Sequence, residues 1–159
     1  MISTKGDYGM RAAIELARLH ATGEPVQVKE IAERQDIPKD YLSVIMVDLR
    51  KGGIVESVRG PRGGYRLSRP PSAISMGEVL EILEGPIQLL DCASTAPPSI
   101  EHRCSKHTGC NMRNVWSVLT ETIASVLHTT TLAQLCDPET VTVQLRSTRT
   151  ATPGSRVPA

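Results

Sequence analysis

The chain has 159 residues, with 18 Lys and Arg against 17 Asp and Glu, and a formal net charge of +1. That length holds one modest domain plus an appendage, and 40% apolar content is enough for a packed core. Aromatics make up only 3% and Phe is absent, so the core must be assembled from Leu, Ile, Val, Ala and Met.

A first helix is expected from about Lys5 to His20, where Tyr8, Ala12, Leu16 and Leu19 recur at helical spacing. Thr4 and Asp7 have the form of a capping box at its start, and Gly23-Glu24-Pro25 breaks it. The start Met1-Ile2-Ser3-Thr4-Lys5 has no signal-peptide character, and no apolar run is long enough to span a membrane. The expected setting is the cytoplasm, where four cysteines would be reduced thiols, suited to metal or redox chemistry.

A short helix from about Val28 to Arg34 follows, then a tight Gln35-Asp36-Ile37 connection. The next helix runs from Pro38, suited to a first helical position, to Lys51; Tyr41, Leu42, Ile45, Met46 and Leu49 lie on one side. Gly52-Gly53 ends it. Two short helices joined by so tight a turn have helix-turn-helix proportions. The period then changes: Ile54–Val58 reads as a strand, Arg59–Gly64 as a turn, and Tyr65-Arg66-Leu67 as the return strand. Such a basic, glycine-rich hairpin has the form of a wing.

Ser75-Met76-Gly77-Glu78 is a second capping-box signature, opening a helix through Val79, Leu80, Ile82 and Leu83 that stops at Gly85-Pro86. Polar, irregular sequence follows from Asp91 to Thr108. A long helix is predicted from near Asn111 to about His128, its broad stripe of Val115, Trp116, Val118, Leu119, Ile123, Val126 and Leu127 suited to a subunit interface. The fold class expected is mainly α with a small β-hairpin wing, a winged helix-turn-helix plus a long C-terminal dimerisation helix. Its divisions are a DNA-binding domain over 1–71, a helix, cluster loop and dimerisation helix over 72–137, and a disordered tail over 138–159.

Charge is unevenly spread. Residues 1–70 carry 12 basic and 9 acidic side chains, and from Arg50 to Arg69 six bases face one acid, Glu56. That local surplus is an electrostatic footprint for nucleic acid. At the start of the second helix of the pair, Lys39, Asp40, Ser43 and Val44 project away from the apolar side. Ser43 can bond bases or phosphates, and Val44 or Val47 can touch a thymine methyl. Arg59 and Arg62 sit among wing glycines that permit close backbone approach, and such an Arg can enter a narrow minor groove. Lys39 and Arg62 suit phosphate as well as base.

Cys92, Cys104 and Cys110 form a C-x11-C-x5-C pattern, with Cys136 well beyond it in an apolar setting that suits a plain, partly buried thiol. Thiolates crowded into a polar loop are poorly explained by packing, and are the usual protein ligands of iron–sulfur clusters. The C-x2-C knuckle of structural zinc is missing. A fourth ligand could be His102, His107 or an acidic side chain from elsewhere.

From about Ser3 to Leu135 the sequence resembles the IscR/NsrR/CymR family of bacterial winged helix-turn-helix regulators. The resemblance is carried by Lys5-Gly6-Asp7-Tyr8-Gly9-Met10-Arg11-Ala12, by Tyr41-Leu42 with Leu49-Arg50-Lys51-Gly52-Gly53, by Val58-Arg59-Gly60-Pro61-Arg62-Gly63-Gly64-Tyr65, and by Gly77-Glu78-Val79. It implies a homodimer, joined through the long helix, on a palindromic double-stranded DNA operator, with a 2Fe–2S or 4Fe–4S cluster held by Cys92, Cys104 and Cys110. Tyr41, Arg50 and Gly63 join Lys39, Asp40, Ser43, Val44, Arg59 and Arg62 as the expected DNA-contacting set. The spacing from Cys92 to Cys104 is longer than usual for the family, and Arg113 stands where the IscR branch has a ligand His. Asp7 stands where many members have Arg, and the NsrR branch takes an Asp ligand from the partner subunit, so Asp7 is the expected fourth ligand. Ser43 replaces the Glu of the IscR branch, so that branch's operator preference does not transfer.

The function expected is therefore a regulator sensing redox, nitric oxide or iron–sulfur status. Two rivals are a cluster-free regulator controlled by a partner protein or metabolite, as in the CymR branch, and an enzyme with a cysteine nucleophile. No His sits in a context suggesting the base that such an enzyme needs.

Overall fold

A computed structural model of the chain describes residues 2–90 and 110–137. The elements in order are α1 (Thr4–Leu19), α2 (Val28–Gln35), α3 (Lys39–Lys51), β1 (Val55–Val58), β2 (Gly64–Leu67), α4 (Met76–Glu84), α5 (Asn111–Thr129) and α6 (Leu132–Leu135). Short 3-10 turns follow α1 and precede α4.

Helix α1 is capped by Ser3, whose hydroxyl accepts from the backbone N–H of Lys5 and Gly6. The Thr4–Asp7 capping box expected from sequence does not form; the cap sits one residue earlier, and Ser3 satisfies the free amides. The inward face of α1 carries Met10, Ala12, Ala13, Leu16 and Ala17, all buried. The alanines, with the buried Gly6 and Gly9, let neighbouring helices approach closely, and α2, α3 and α4 all pack on α1.

Between α2 and α3 the chain turns at Asp36, which takes the left-handed conformation with φ 52°, a backbone state open to Asp at modest cost. Ile37 drops into the core, and Pro38 forms the N-cap of α3 rather than its first turn. Leu42, Ile45, Met46 and Leu49 of α3 are fully buried. Tyr41, expected on the same face, is instead 39% exposed and meets Tyr8 edge-on, with ring centroids 6.0 Å apart. Gly53, at φ 75°, supplies the left-handed residue that frees the chain from α3.

Strands β1 and β2 pair antiparallel from Val55↔Leu67 to Val58↔Gly64. Val26 extends the hairpin, exchanging two 2.8 Å backbone hydrogen bonds with Tyr65. The hairpin base is thereby sewn to the segment before α2.

The second capping box is present: Ser75 Oγ accepts from the Glu78 N–H, and the Glu78 side chain accepts from the Ser75 N–H. Val79, Leu80 and Leu83 bury α4 against α1 and α3. Helix α5 packs along α4, and the chain then returns through α6. There Thr131 and Gln134 form a third capping box, Leu132 is wholly buried, and its N–H donates to Ile74 O at 2.9 Å. One apolar cluster thus draws on α1 to α4, the wing base and α6.

Candidate nucleic-acid interface and ligand residues

Apolar packing seats α3, and polar ties join α1 to both helices of the pair, one to α3 and the rest to α2. Lys5 Nζ lies 2.8 Å from the Asp48 carboxylate, and its hydrogen bond holds that carboxyl below the usual range. Glu15, 6% exposed, accepts from Arg34 Nη1 at 3.0 Å and from Gln35 Nε2 at 2.8 Å. The hydrogen bond to Glu15 also raises the Arg34 pKa. Arg11 donates to the Gln35 carbonyl, closing the C-terminal end of α2, and its guanidinium stands 5.7 Å from the Tyr8 ring centroid. Hydrogen bonds to a buried carboxylate offset the cost of taking it out of water, and removing its partners costs about 3–5 kcal/mol. Sequence reasoning did not single out Glu15 or Lys5. The available signal was Glu15 itself, an acid interrupting the apolar face between Ile14 and Leu16.

On the outer side of α3, Lys39, Asp40 and Arg50 are exposed and Val44 is 57% exposed. Ser43 is half-buried, and its hydroxyl donates back to Lys39 O at 2.9 Å. Arg50 reaches toward the wing, with Nη1 3.5 Å from Ser57 Oγ. Arg59 and Arg62 are exposed on the hairpin loop, which is closed by the Gly63 N–H donating to Gly60 O at 2.9 Å. Two of the six bases in this stretch are spent locally: Arg66 pairs with Glu56 at 2.5 Å and Arg69 with Glu78 at 3.0 Å. Arg50, Lys51, Arg59 and Arg62 remain as exposed positive charge flanking the outer face of α3 and the wing tip.

Cys110 is half-buried at the N-cap of α5 and makes no side-chain capping bond there. The Asp7 carboxylate is 59% exposed and 3.7 Å from Arg11. Cys92 and Cys104, with His102 and His107, lie outside the described residues. Among the described residues no group of three or more His, Cys, Asp or Glu is placed to hold a metal ion. Cys136 packs with its sulfur 4.0 Å from Ile14 O, and burial pushes its thiol up, as suits an inert thiol.

Helix α5 exposes Met112, Val115, Val118, Leu119 and Ile123, at 39% to 58% each. None of the described helices is long and apolar enough to cross a membrane.

A helix-turn-helix followed directly by an exposed basic hairpin defines a winged-helix DNA-binding protein. This chain belongs to the Rrf2 family, whose model, described as an iron-dependent transcriptional regulator, matches residues 2–138. It is accordingly a transcriptional regulator and not an enzyme. It is 36% identical to the HTH-type transcriptional regulator CymR of Bacillus subtilis, covering 84% of this chain and 88% of that one. It is equally 36% identical to the regulator IscR of Yersinia pseudotuberculosis, covering 88% and 81%. Among solved structures it resembles CymR, the global cysteine regulator of B. subtilis, with a TM-score of 0.69 and 34% identity over 86% of this chain and 95% of that one. T. potens IscR gives a TM-score of 0.67 at 36% identity, covering 85% of each chain.

Proposed function

We propose that two copies of this chain pair through α5, bind a palindromic DNA operator in the cytoplasm as a repressor, and sense redox, nitric oxide or iron–sulfur status through a cluster held by Cys92, Cys104 and Cys110. The observation that carries this reading is the placement of three cysteines within nineteen residues, the last at the head of a helix with an uncovered apolar face. Residues 1–71 would grip DNA, and residues 72–137 would sense and pair.

The described donor residues fit such a group. Cys110 is half-buried at the head of α5, and its side chain is not spent on capping, so its sulfur is open to a ligand. Asp7 is available as the fourth ligand, because Ser3 does the capping and the Arg11 contact is long and solvent-exposed. A bound cluster supplies iron chemistry that responds to oxidation, nitrosylation and metal supply. Asp7 lies on α1, whose polar ties hold α2 and α3, so recruiting its carboxylate would act on the element that orients the DNA-reading helix.

A second reading is a cluster-free regulator of the same fold, controlled by a partner protein or metabolite. It is favoured by CymR of B. subtilis being as similar to this chain as IscR is. Purification without oxygen separates the two. The sensor predicts brown protein with iron and acid-labile sulfide in stoichiometric amount, bleached or destabilised by Asp7→Ala. Colourless, iron-free protein that binds DNA as a dimer would establish the cluster-free reading instead.

A further inference from the structure

The outermost stripe of α3 is formed by Asp40, Val44, Val47 and Lys51, positions that align at helical spacing opposite the buried Leu42, Ile45, Met46 and Leu49. Val44 is the most exposed large apolar side chain of this helix, at 57%, and stands in its N-terminal half. The stripe holds no Arg, Asn or Gln; its polar members are Asp40, an acceptor suited to a cytosine amino group, and Lys51, at the C-terminal end of α3. Ser43, beside it, commits its proton to Lys39 O, so it has no hydroxyl donor left for a base. Tyr41 is turned against Tyr8. An apolar side chain here gains nothing from the core, and nothing in the described chain covers it. The surrounding charges indicate what does: Lys39, Arg50 and Lys51 on α3 and Arg59 and Arg62 on the wing are exposed cations around it, complementary to a phosphate backbone.

Resting on the assignment of α3 as the DNA-reading helix, we propose that Val44 is a specificity residue that selects thymine in the major groove by packing against its C5-methyl group. In the major groove that methyl is the apolar feature distinguishing thymine from the other bases, and aliphatic contact is the way protein reads it. Arg50, Lys51, Arg59 and Arg62 then supply affinity, and Val44 supplies choice of base.

The test uses the full-length chain and a random-sequence DNA duplex library. Enriched duplexes are resynthesised with deoxyuridine replacing thymidine one position at a time, which removes the methyl and leaves base pairing intact. Affinities are measured at one salt concentration for wild type and Val44→Ala, a substitution at an exposed helical site that raises helix propensity; unchanged circular dichroism confirms the fold. Each enriched half-site should contain a thymine whose replacement weakens wild-type binding about four-fold, the transfer value of one buried methyl-sized group. Val44→Ala, whose shorter side chain draws back from the methyl, should show a smaller uracil penalty than wild type. Wild-type indifference to every replacement, an undiminished uracil penalty in Val44→Ala, or enriched half-sites lacking thymine would each overturn the proposal while leaving DNA binding intact. Failure to retain any duplex would overturn the DNA-binding assignment itself.

Discussion

At the scale of single residues, charges near the DNA face fall into two groups. Arg66 and Arg69 are held by Glu56 and Glu78, whereas Arg59 and Arg62 project from the hairpin tip. Arg62→Ala should therefore weaken binding to every duplex by a similar factor. It should also flatten the dependence of log affinity on log salt by about 0.9 for each phosphate that the guanidinium neutralises. An anisotropy titration across a salt series checks this; weakening confined to A·T-rich duplexes would place Arg62 in the minor groove instead. The basic surplus was plain in the sequence, but its division was not, because pairing such as Arg66 with Glu56 depends on strand register. The buried role of Glu15 was also hidden: it requires Arg34 and Gln35 to come round from another helix.

At the scale of elements, boundaries followed local chemistry well. Ser75 and Glu78 marked the start of α4 by their spacing alone, and the change from helical to alternating period after Gly53 marked the wing. At the first helix the motif misled, since Thr4 with Asp7 and Ser3 with its neighbours both have the chemistry of a cap; Ser3 is the one that accepts the free amides. The four-residue α6 was missed because so short a helix leaves no periodicity, although Leu132 is wholly buried. The α4 cap carries a pH signature. The Ser75 N–H and then Arg69 hold the Glu78 carboxyl below its usual range. A carboxyl whose folded pKa is depressed stabilises fully above its unfolded value of about 4.3 and loses that contribution as pH falls through the folded value. Glu78→Gln keeps an acceptor for the capping box but cannot titrate. It should cost roughly half a kcal/mol at neutral pH, the scale of a solvent-screened pair. As pH falls below the unfolded value and through the depressed folded one, the gap to wild type should narrow, because wild type sheds the same contribution there. Denaturant melts at pH 7 and pH 3 measure both quantities, and a constant gap would contradict the assignment.

At the scale of the whole molecule, two surfaces are left without a partner in the described chain: the outer stripe of α3 and the face of α5 holding Val115, Val118, Leu119 and Ile123. An apolar strip of that kind marks an interaction site, and the proposed pairing predicts its consequence. Leu119→Glu should give a monomer by sedimentation while keeping the wild-type helical spectrum, since Leu119 is 43% exposed and outside the core. DNA affinity should then collapse, because two weak half-site attachments no longer act together. A variant that still sediments as a dimer would move the interface elsewhere.

The chain has one tryptophan, and it lies half-buried on α5, six residues beyond Cys110. The Phe-free composition therefore leaves an almost silent optical background apart from three tyrosines. Near-295 nm excitation isolates that indole, making its emission a native reporter for events along one helix. The proposed pairing and cluster predict that dilution, oxidant or iron will change the colour or brightness of Trp116 emission in unlabelled protein.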